Sequence, residues 1–167
     1  MASPVKLGHV AFRTGDVARL RAWYCTVLEA EVAFENDFLS FLSYDDEHHR
    51  LAIIDRGTAD SQNAASGTLD HVSFTFASLE DLLDTYVRLK ATGIVPNRAI
   101  NHGPTTSMYF HDPDGNNVEL QVDNFETLEE ATEFLQSATF AANPIGIEFD
   151  ADVLVERFQA GAQLGAV

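Results

Sequence analysis

The sequence predicts an α+β fold, two βαβββ modules forming a half-barrel around a shared polar site, with a helical extension at the carboxyl end. Three observations carry that expectation. Leu7-Gly8-His9-Val10-Ala11-Phe12 returns sixty-two residues later as Leu69-Asp70-His71-Val72-Ser73-Phe74. Each copy is followed by a helix-like segment and then by three short strand-like runs. The stretch from Asn101 to Glu119 sets a polar cluster inside a strand-turn-strand unit.

The first module, residues 5–56, reads as a strand from Val5 to Arg13 and a helix from Asp16 to Leu28. Strands follow near Glu31 to Glu35, Phe38 to Tyr44 and Leu51 to Asp55. The second, residues 68–123, repeats the order: strand Leu69 to Phe76, helix Leu79 to Thr92, then strands near Asn97 to Ile100, Thr106 to His111 and Asn117 to Val122. Its helix is well marked. Ser78 is a natural N-cap with Asp81 three residues on, Leu79, Leu82, Leu83, Tyr86 and Leu89 form one apolar stripe, and Gly93 lies beyond the end. Asp112-Pro113-Asp114-Gly115 has the residues a type I turn asks for, Asp first, Pro second and Gly fourth. On the strand after it, Val118, Leu120 and Val122 alternate with Glu119 and Gln121, so a carboxylate points away from the apolar face.

Two open four-stranded units, each with a polar face, can hide those faces by curving into a trough with the helices outside. His9 and His71 hold equivalent places in the repeat, each within the first strand of its module, and Glu119 stands on the polar face of the second. The three are expected to converge. Two neutral imidazoles and a carboxylate bind a borderline divalent metal, and as a facial triad they leave positions open for a bidentate substrate and dioxygen, the pattern of non-haem Fe(II) chemistry.

The extension, residues 124–167, opens on a capping box, Thr127 to Glu130, leading into Leu128, Ala131, Phe134, Leu135 and Ala138 at helical spacing. Residues 143–149 read as a turn and a short extended piece, and Asp150 caps a last helix with Val153, Leu154 and Phe158 before Gly161. Its apolar stripe is expected to pack on its own domain, the alternatives being partial cover of the pocket or a homo-oligomer contact.

The 167 residues, 46% hydrophobic, suffice for one domain over 1–167 with a real core. Ten basic against twenty-six acidic residues give a formal charge of −16, which opposes nucleic acid as a partner because phosphate contacts need Lys and Arg. The amino terminus lacks an apolar signal region and no stretch reaches membrane-spanning length, so a cytoplasmic location without membrane attachment is expected. The one cysteine, Cys25, sits on an amphipathic helix as a small apolar residue and has no partner for a disulfide within the chain.

The stretch from Ile100 to Glu119 matches, without a gap, the signature of the type I extradiol ring-cleavage dioxygenases. His102 is followed by five residues, Met108-Tyr109, two more, Asp112-Pro113, one residue, Gly115 and finally Glu119. The two L-x-H-V-x-F copies resemble the module starts of the wider vicinal oxygen chelate superfamily, so the resemblance covers about residues 5–123. It implies that His9, His71 and Glu119 hold Fe(II), or Mn(II), and that a catechol chelates the metal beside O2 and is opened to a semialdehyde-type acid. It also implies that Tyr109 bonds a catecholic oxygen and that a histidine beyond the ligands serves as acid/base. The stretch Glu47-His48-His49-Arg50-Leu51-Ala52-Ile53 resembles the family's H-x-x-A-[L/I] and selects His49, whereas strand alternation alone leaves His48 and His49 open, since a bulge could exchange them. His102 and His48 are the candidate substrate contacts, and a backbone-capping role for His102 is weighed equally.

The first-module position matching Glu119 falls near Ala52 or Ile53, where four-ligand glyoxalase-like members tend to carry a carboxylate. This favours an oxygen-activating site over two alternatives: a metal-dependent isomerase, epimerase or lyase, and a metal-free binding or resistance protein. Two departures stand out. Leu28-Glu29-Ala30 replaces the usual Leu-Gly after the first helix, and without the amino-terminal module pair of the two-domain enzymes the chain resembles the single-domain branch.

Overall fold

The computed structural model describes residues 6–55 and 69–161. The expected strand start at Val5, the module limits at residues 56 and 68, and the last six residues of the extension lie outside them. The chain divides into two compact units, one of Met1–Thr68 with Asp112–Gly115 and one of Leu69–His111 with Asn116–Val167.

The first unit runs β1 (Val10–Thr14), α1 (Val17–Leu28), β2 (Glu31–Glu35), β3 (Leu39–Ser43) and β4 (Leu51–Asp55). Its open mixed sheet has the order β1-β4-β3-β2, with β1 parallel to β4 and the other pairs antiparallel. Asp16 caps α1 by accepting from Arg19 N at 2.9 Å. The helix buries Leu20, Tyr24 and Val27, one face at spacings of four and three, and Tyr24 stacks on Phe12 of β1 at 5.1 Å. Phe12, Leu42, Leu51 and Ile53 complete this core, leaving Ala11 and Phe41 on the opposite face, less buried. Cys25 is half-buried, and burial pushes its thiol up.

β1 begins at Val10 and not near Val5, so His9 precedes the strand. The cause is its partner: β4 starts at Leu51, Val10 pairs with Leu51, and the Val10 N–H donates to Arg50 O at 3.0 Å. A parallel ladder extends no further than the shorter strand allows. α1 ends on Glu29 at φ 51°, the left-handed conformation that a glycine usually supplies. The departure at Leu28-Glu29-Ala30 therefore changes the residue and keeps the turn.

The second unit runs β5 (His71–Phe76), α2 (Leu79–Ala91), β6 (Arg98–Asn101), β7 (Thr105–His111), β8 (Asn117–Asp123), α3 (Leu128–Leu135), α4 (Ala138–Ala142), β9 (Ile147–Glu148) and α5 (Ala151–Gln159). The sheet order is β5-β8-β7-β6-β9, with β5 parallel to β8. Ser78 caps α2 as expected, accepting from Asp81 N at 3.1 Å, and Leu82, Leu83, Tyr86 and Leu89 are buried together with Met108, Phe110, Val118 and Leu120. The turn between β7 and β8 closes with Gly115 N donating to Asp112 O at 2.9 Å, Gly115 at φ 84°. Tyr24 OH donates to the buried Asp112 carboxylate at 3.2 Å, and Arg19 pairs with Asp114, which places these turn residues in the first unit.

Two features of the extension depart from expectation. The capping box of Thr127 and Glu130 forms, but α3 ends at Leu135 and Ala138 opens a separate helix, because Ser137 accepts from Phe140 N at 3.1 Å and starts a new cap. The extended piece after Asn143 is a strand: β9 pairs antiparallel with β6 through Ile100–Glu148 and Asn101–Ile147, giving the second sheet a fifth member. Among the described residues no helix is long and apolar enough to cross a membrane.

A left-handed conformation costs a residue other than glycine roughly 1–2 kcal/mol. Glu29→Gly is expected to stabilise the protein by about 0.5–1 kcal/mol after the added freedom of the unfolded chain, read as a higher urea midpoint at unchanged m-value. A lower midpoint would show that the Glu29 side chain outweighs its backbone.

Candidate metal centre

The face of the second sheet that β8 turns away from its apolar core is built around Glu119. Its carboxylate is 5% exposed, and the register sets Ser73 of β5 on one side and Tyr109 of β7 on the other. Tyr109 OH donates to Oε1 at 2.7 Å, with Ser107 and Ser73 as further donors. Burial alone would raise this carboxyl; the hydrogen bonds and the nearby His71 outweigh it and hold Glu119 below the usual range, so it is ionised at neutral pH. Burial and the Glu119 charge push the Tyr109 phenol far above its usual value, which keeps it a neutral donor.

His71 opens β5. Its Nδ1 lies 2.7 Å from Asp70 Oδ1 and its Nε2 3.2 Å from Glu119 Oε2. A carboxylate oxygen accepts, so Nδ1–H donates to Asp70 and Nε2 is the nitrogen turned toward Glu119. When the ring is charged, Nε2–H can bridge to Glu119; when it is neutral, Nε2 turns a lone pair toward the carboxylate, and a divalent cation can take the place of that proton. An imidazole oriented by a carboxylate, facing a second carboxylate kept charged, is a donor pair suited to a divalent ion. His71 and Glu119 fit two of the donors that a divalent metal would take here.

His102, read as a substrate contact or a backbone cap, does part of both: its Nδ1 lies 2.6 Å from Ile145 O and its Nε2 2.8 Å from Tyr109 OH. His111, at the exposed end of β7, meets Asn97 at 3.1 Å.

In the first unit, His49 is sandwiched between Phe41, stacked at 4.4 Å and 13°, and His9 at 4.5 Å. Burial and the two neighbouring imidazoles lower its basicity. His48 touches it, Nδ1 to Nδ1 at 2.6 Å, but its side chain is 74% exposed. The pair lies in the loop before β4, where strand alternation has no force. Arg50 ties this loop down, with Nε on Asp45 at 2.9 Å and Nη1 donating to the Leu7 carbonyl at 2.8 Å, next to His9.

The structure thus brings His71, Glu119, Tyr109 and His102 together in one unit, and His9, His48 and His49 in the other. Among the described residues no group of three or more His, Cys, Asp or Glu side chains is gathered as a ready-made cage. The registers also locate the counterpart of Glu119. Ser73, two residues after His71, pairs with Glu119, and Ala11, two after His9, pairs with Ala52, so the equivalent place holds no carboxylate. Sequence reading missed Asp70, Ser73, Ser107 and Ile145. Alternation from His71 and Tyr109 could have found the two serines; nothing in the sequence points to a backbone carbonyl forty-three residues from His102.

The model of the Glyoxalase/Bleomycin resistance protein/Dioxygenase superfamily matches residues 6–120. Biphenyl-2,3-diol 1,2-dioxygenase 2 of Rhodococcus globerulus is 42% identical over 168 aligned residues, covering 100% of this chain and 88% of the relative. Biphenyl-2,3-diol 1,2-dioxygenase 3 of the same organism is 40% identical over 158, covering 93% and 83%. Among solved structures, a lactoylglutathione lyase from Agrobacterium tumefaciens aligns at a TM-score of 0.59 and 21% identity over 72% of this chain and 96% of its own. A fosfomycin resistance protein from Mesorhizobium loti aligns at 0.57 and 21% over 78% and 99%; both show the shared fold. The chain belongs to the glyoxalase/bleomycin resistance protein/dioxygenase superfamily and, within it, to the extradiol ring-cleavage dioxygenases.

Asp70→Asn keeps the size of the group that orients His71 and removes its charge. It is expected to weaken divalent-metal affinity about tenfold, the lower end for such supporting carboxylates, measured by competition with a fluorescent chelator. Unchanged affinity would show that Asp70 does not orient His71 toward an ion.

Proposed function

We propose that this extradiol dioxygenase holds Fe(II), with Mn(II) as the alternative, on His9, His71 and Glu119, and cleaves a catechol of the biphenyl-2,3-diol class with O2. The approach of His71 Nε2 to Glu119 Oε2 at 3.2 Å supports the metal part of this reading, and the names of the two Rhodococcus globerulus relatives support the substrate part. An aromatic row in the first unit supports an aryl substituent: Phe34, Phe41, His49 and His9 follow one another with ring centroids 6.0, 4.4 and 4.5 Å apart. In this reading the two modules act as one functional domain, and the enzyme works in the cytoplasm, where a reduced Cys25 and a ferrous ion are compatible.

When bound, the ion supplies a common meeting point for catecholate and dioxygen and a path for electrons between them. Glu119 stays ionised because its donors outweigh its burial. Tyr109, neutral at working pH, offers its hydroxyl to a substrate oxygen that displaces one of its present partners. His49, lowered in basicity by its neighbours, is free to accept a proton from the second catechol hydroxyl and return one as the ring opens. His102 and His48 contact the substrate at the margins. Both oxygen atoms of O2 enter the product, one carbon–carbon bond of the ring breaks, and the yellow product is a ring-opened oxo-acid.

His9→Ala, His71→Ala and Glu119→Ala are each expected to abolish stoichiometric iron binding in a folded protein. Equal iron in all three would remove the triad. His49→Asn is expected to keep iron and catechol binding and lose roughly 10²–10⁴ in rate, while His48→Asn loses far less; normal single-turnover kinetics in both would reduce the pair to a surface turn. The whole reading is tested by anaerobic iron loading and a catechol panel followed by oxygen electrode and absorbance. Catechol-dependent uptake with yellow product supports it. Metal binding without uptake indicates an isomerase or lyase, and neither indicates a binding protein.

A further inference from the structure

The carboxyl-terminal extension reaches the site through Ile145 O, and the contact has a chemical consequence. Ile145 O accepts at 2.6 Å from His102 Nδ1, and a carbonyl has no proton to give, so Nδ1 must carry one. The neutral ring therefore shows a bare Nε2 to Tyr109 OH at 2.8 Å. Tyr109 has a single proton and two acceptors, His102 Nε2 behind it and Glu119 Oε1 in front at 2.7 Å. Its hydroxyl can turn from one to the other only while the imidazole keeps that tautomer.

The contact is built into the backbone. Gly146 sits at φ 92°, and a Cβ there would overlap the Asn101 carbonyl oxygen and lie 2.7 Å from His102 Cα. Asn143 clasps Gly146 at both ends, its Oδ1 accepting from Gly146 N at 3.1 Å and its Nδ2 donating to Gly146 O at 2.8 Å. Beyond the turn, Ile147 pairs with Asn101, and Phe149 N donates to Ala99 O at 3.1 Å. On the other side of His102, Gly103 at φ 93° leaves room only for the Phe134 ring of α3. The histidine is thus held between two parts of the extension.

We propose that the turn Asn143–Gly146 is a positioning element of the active site, its Ile145 carbonyl fixing His102 as the Nδ1–H tautomer so that Tyr109 keeps an acceptor at Nε2. This rests on the reading that Tyr109 and His102 face the catechol. Asn143 and Gly146 are positioning residues that act through His102, and the extension is part of the catalytic apparatus instead of a surface appendage.

The test uses the full chain labelled with 15N-histidine, metal-free and zinc-loaded, at alkaline pH, with the His102 resonances identified by their loss in His102→Gln. Long-range nitrogen–proton correlations are expected to show Nδ1 protonated and Nε2 bare in the parent protein. Asn143→Ala and Gly146→Ala are expected to move His102 toward the opposite tautomer or a mixture, and in the iron-loaded enzyme to lower kcat about two- to tenfold, the effect of one hydrogen bond, with KM for the catechol little changed. Asn143→Asp, which keeps the acceptor for Gly146 N, is expected to recover part of both effects. If Gly146→Ala does not fold, Asn143→Ala decides alone. An Nε2–H tautomer in the parent protein, an unmoved tautomer in Asn143→Ala, or parental kcat despite a moved tautomer would each overturn the proposal. The expected tautomers in a parent protein that turns over no catechol would leave the His102 contact standing and overturn the catalytic assignment.

Discussion

Everything in the site depends on one contact: His71 Nε2 and an ionised oxygen of Glu119, 3.2 Å apart. Both groups are held in place. Asp70 holds the ring at Nδ1, and Tyr109, Ser107 and Ser73, three donors on the strands beside β8, hold the carboxylate. A buried carboxylate without a partner would take up a proton; this one is supplied with donors that keep it charged.

The sheet register is what makes the arrangement reproducible. Ser73, Glu119 and Tyr109 lie side by side on three adjacent strands because β5 runs parallel to β8 and β8 antiparallel to β7, and a slip of β8 by one residue would send Glu119 to the apolar face. The turn at Asp112–Gly115 fixes that register between β7 and β8. The first unit uses the same βαβββ plan with a different filling. Ala52 stands where Glu119 would be, and aromatic rings line the way from Phe34 to His9. One copy of the duplicated plan presents a carboxylate; the other presents a row of phenyl and imidazole rings.

Much of this was legible in the sequence, and the limits have physical causes. The repeat, the Ser78 cap, the Asp112–Gly115 turn and the inward Glu119 were readable because each depends on neighbours within a few residues, through alternation, capping or turn chemistry. The start of β1 at Val10 was not, since it is set by a parallel partner some forty residues away. β9 has only two residues, Ile147–Glu148, too few for any period. His48 and His49 could not be told apart by alternation because Asp45 to Arg50 folds as a loop tied by side chains. Glu29 in a left-handed conformation hides from pattern reading as well, since the expected residue there is glycine.

An extradiol dioxygenase inserts both atoms of dioxygen into a catechol ring. The most direct measurement is turnover of 2,3-dihydroxybiphenyl by the iron-loaded protein under 18O2, with rapid quenching and mass spectrometry of the ring-opened acid. The account predicts two heavy oxygens in the product, one in the new carboxylate and one in the new carbonyl. A product carrying one label or none, or an intact ring after metal loading, would contradict it.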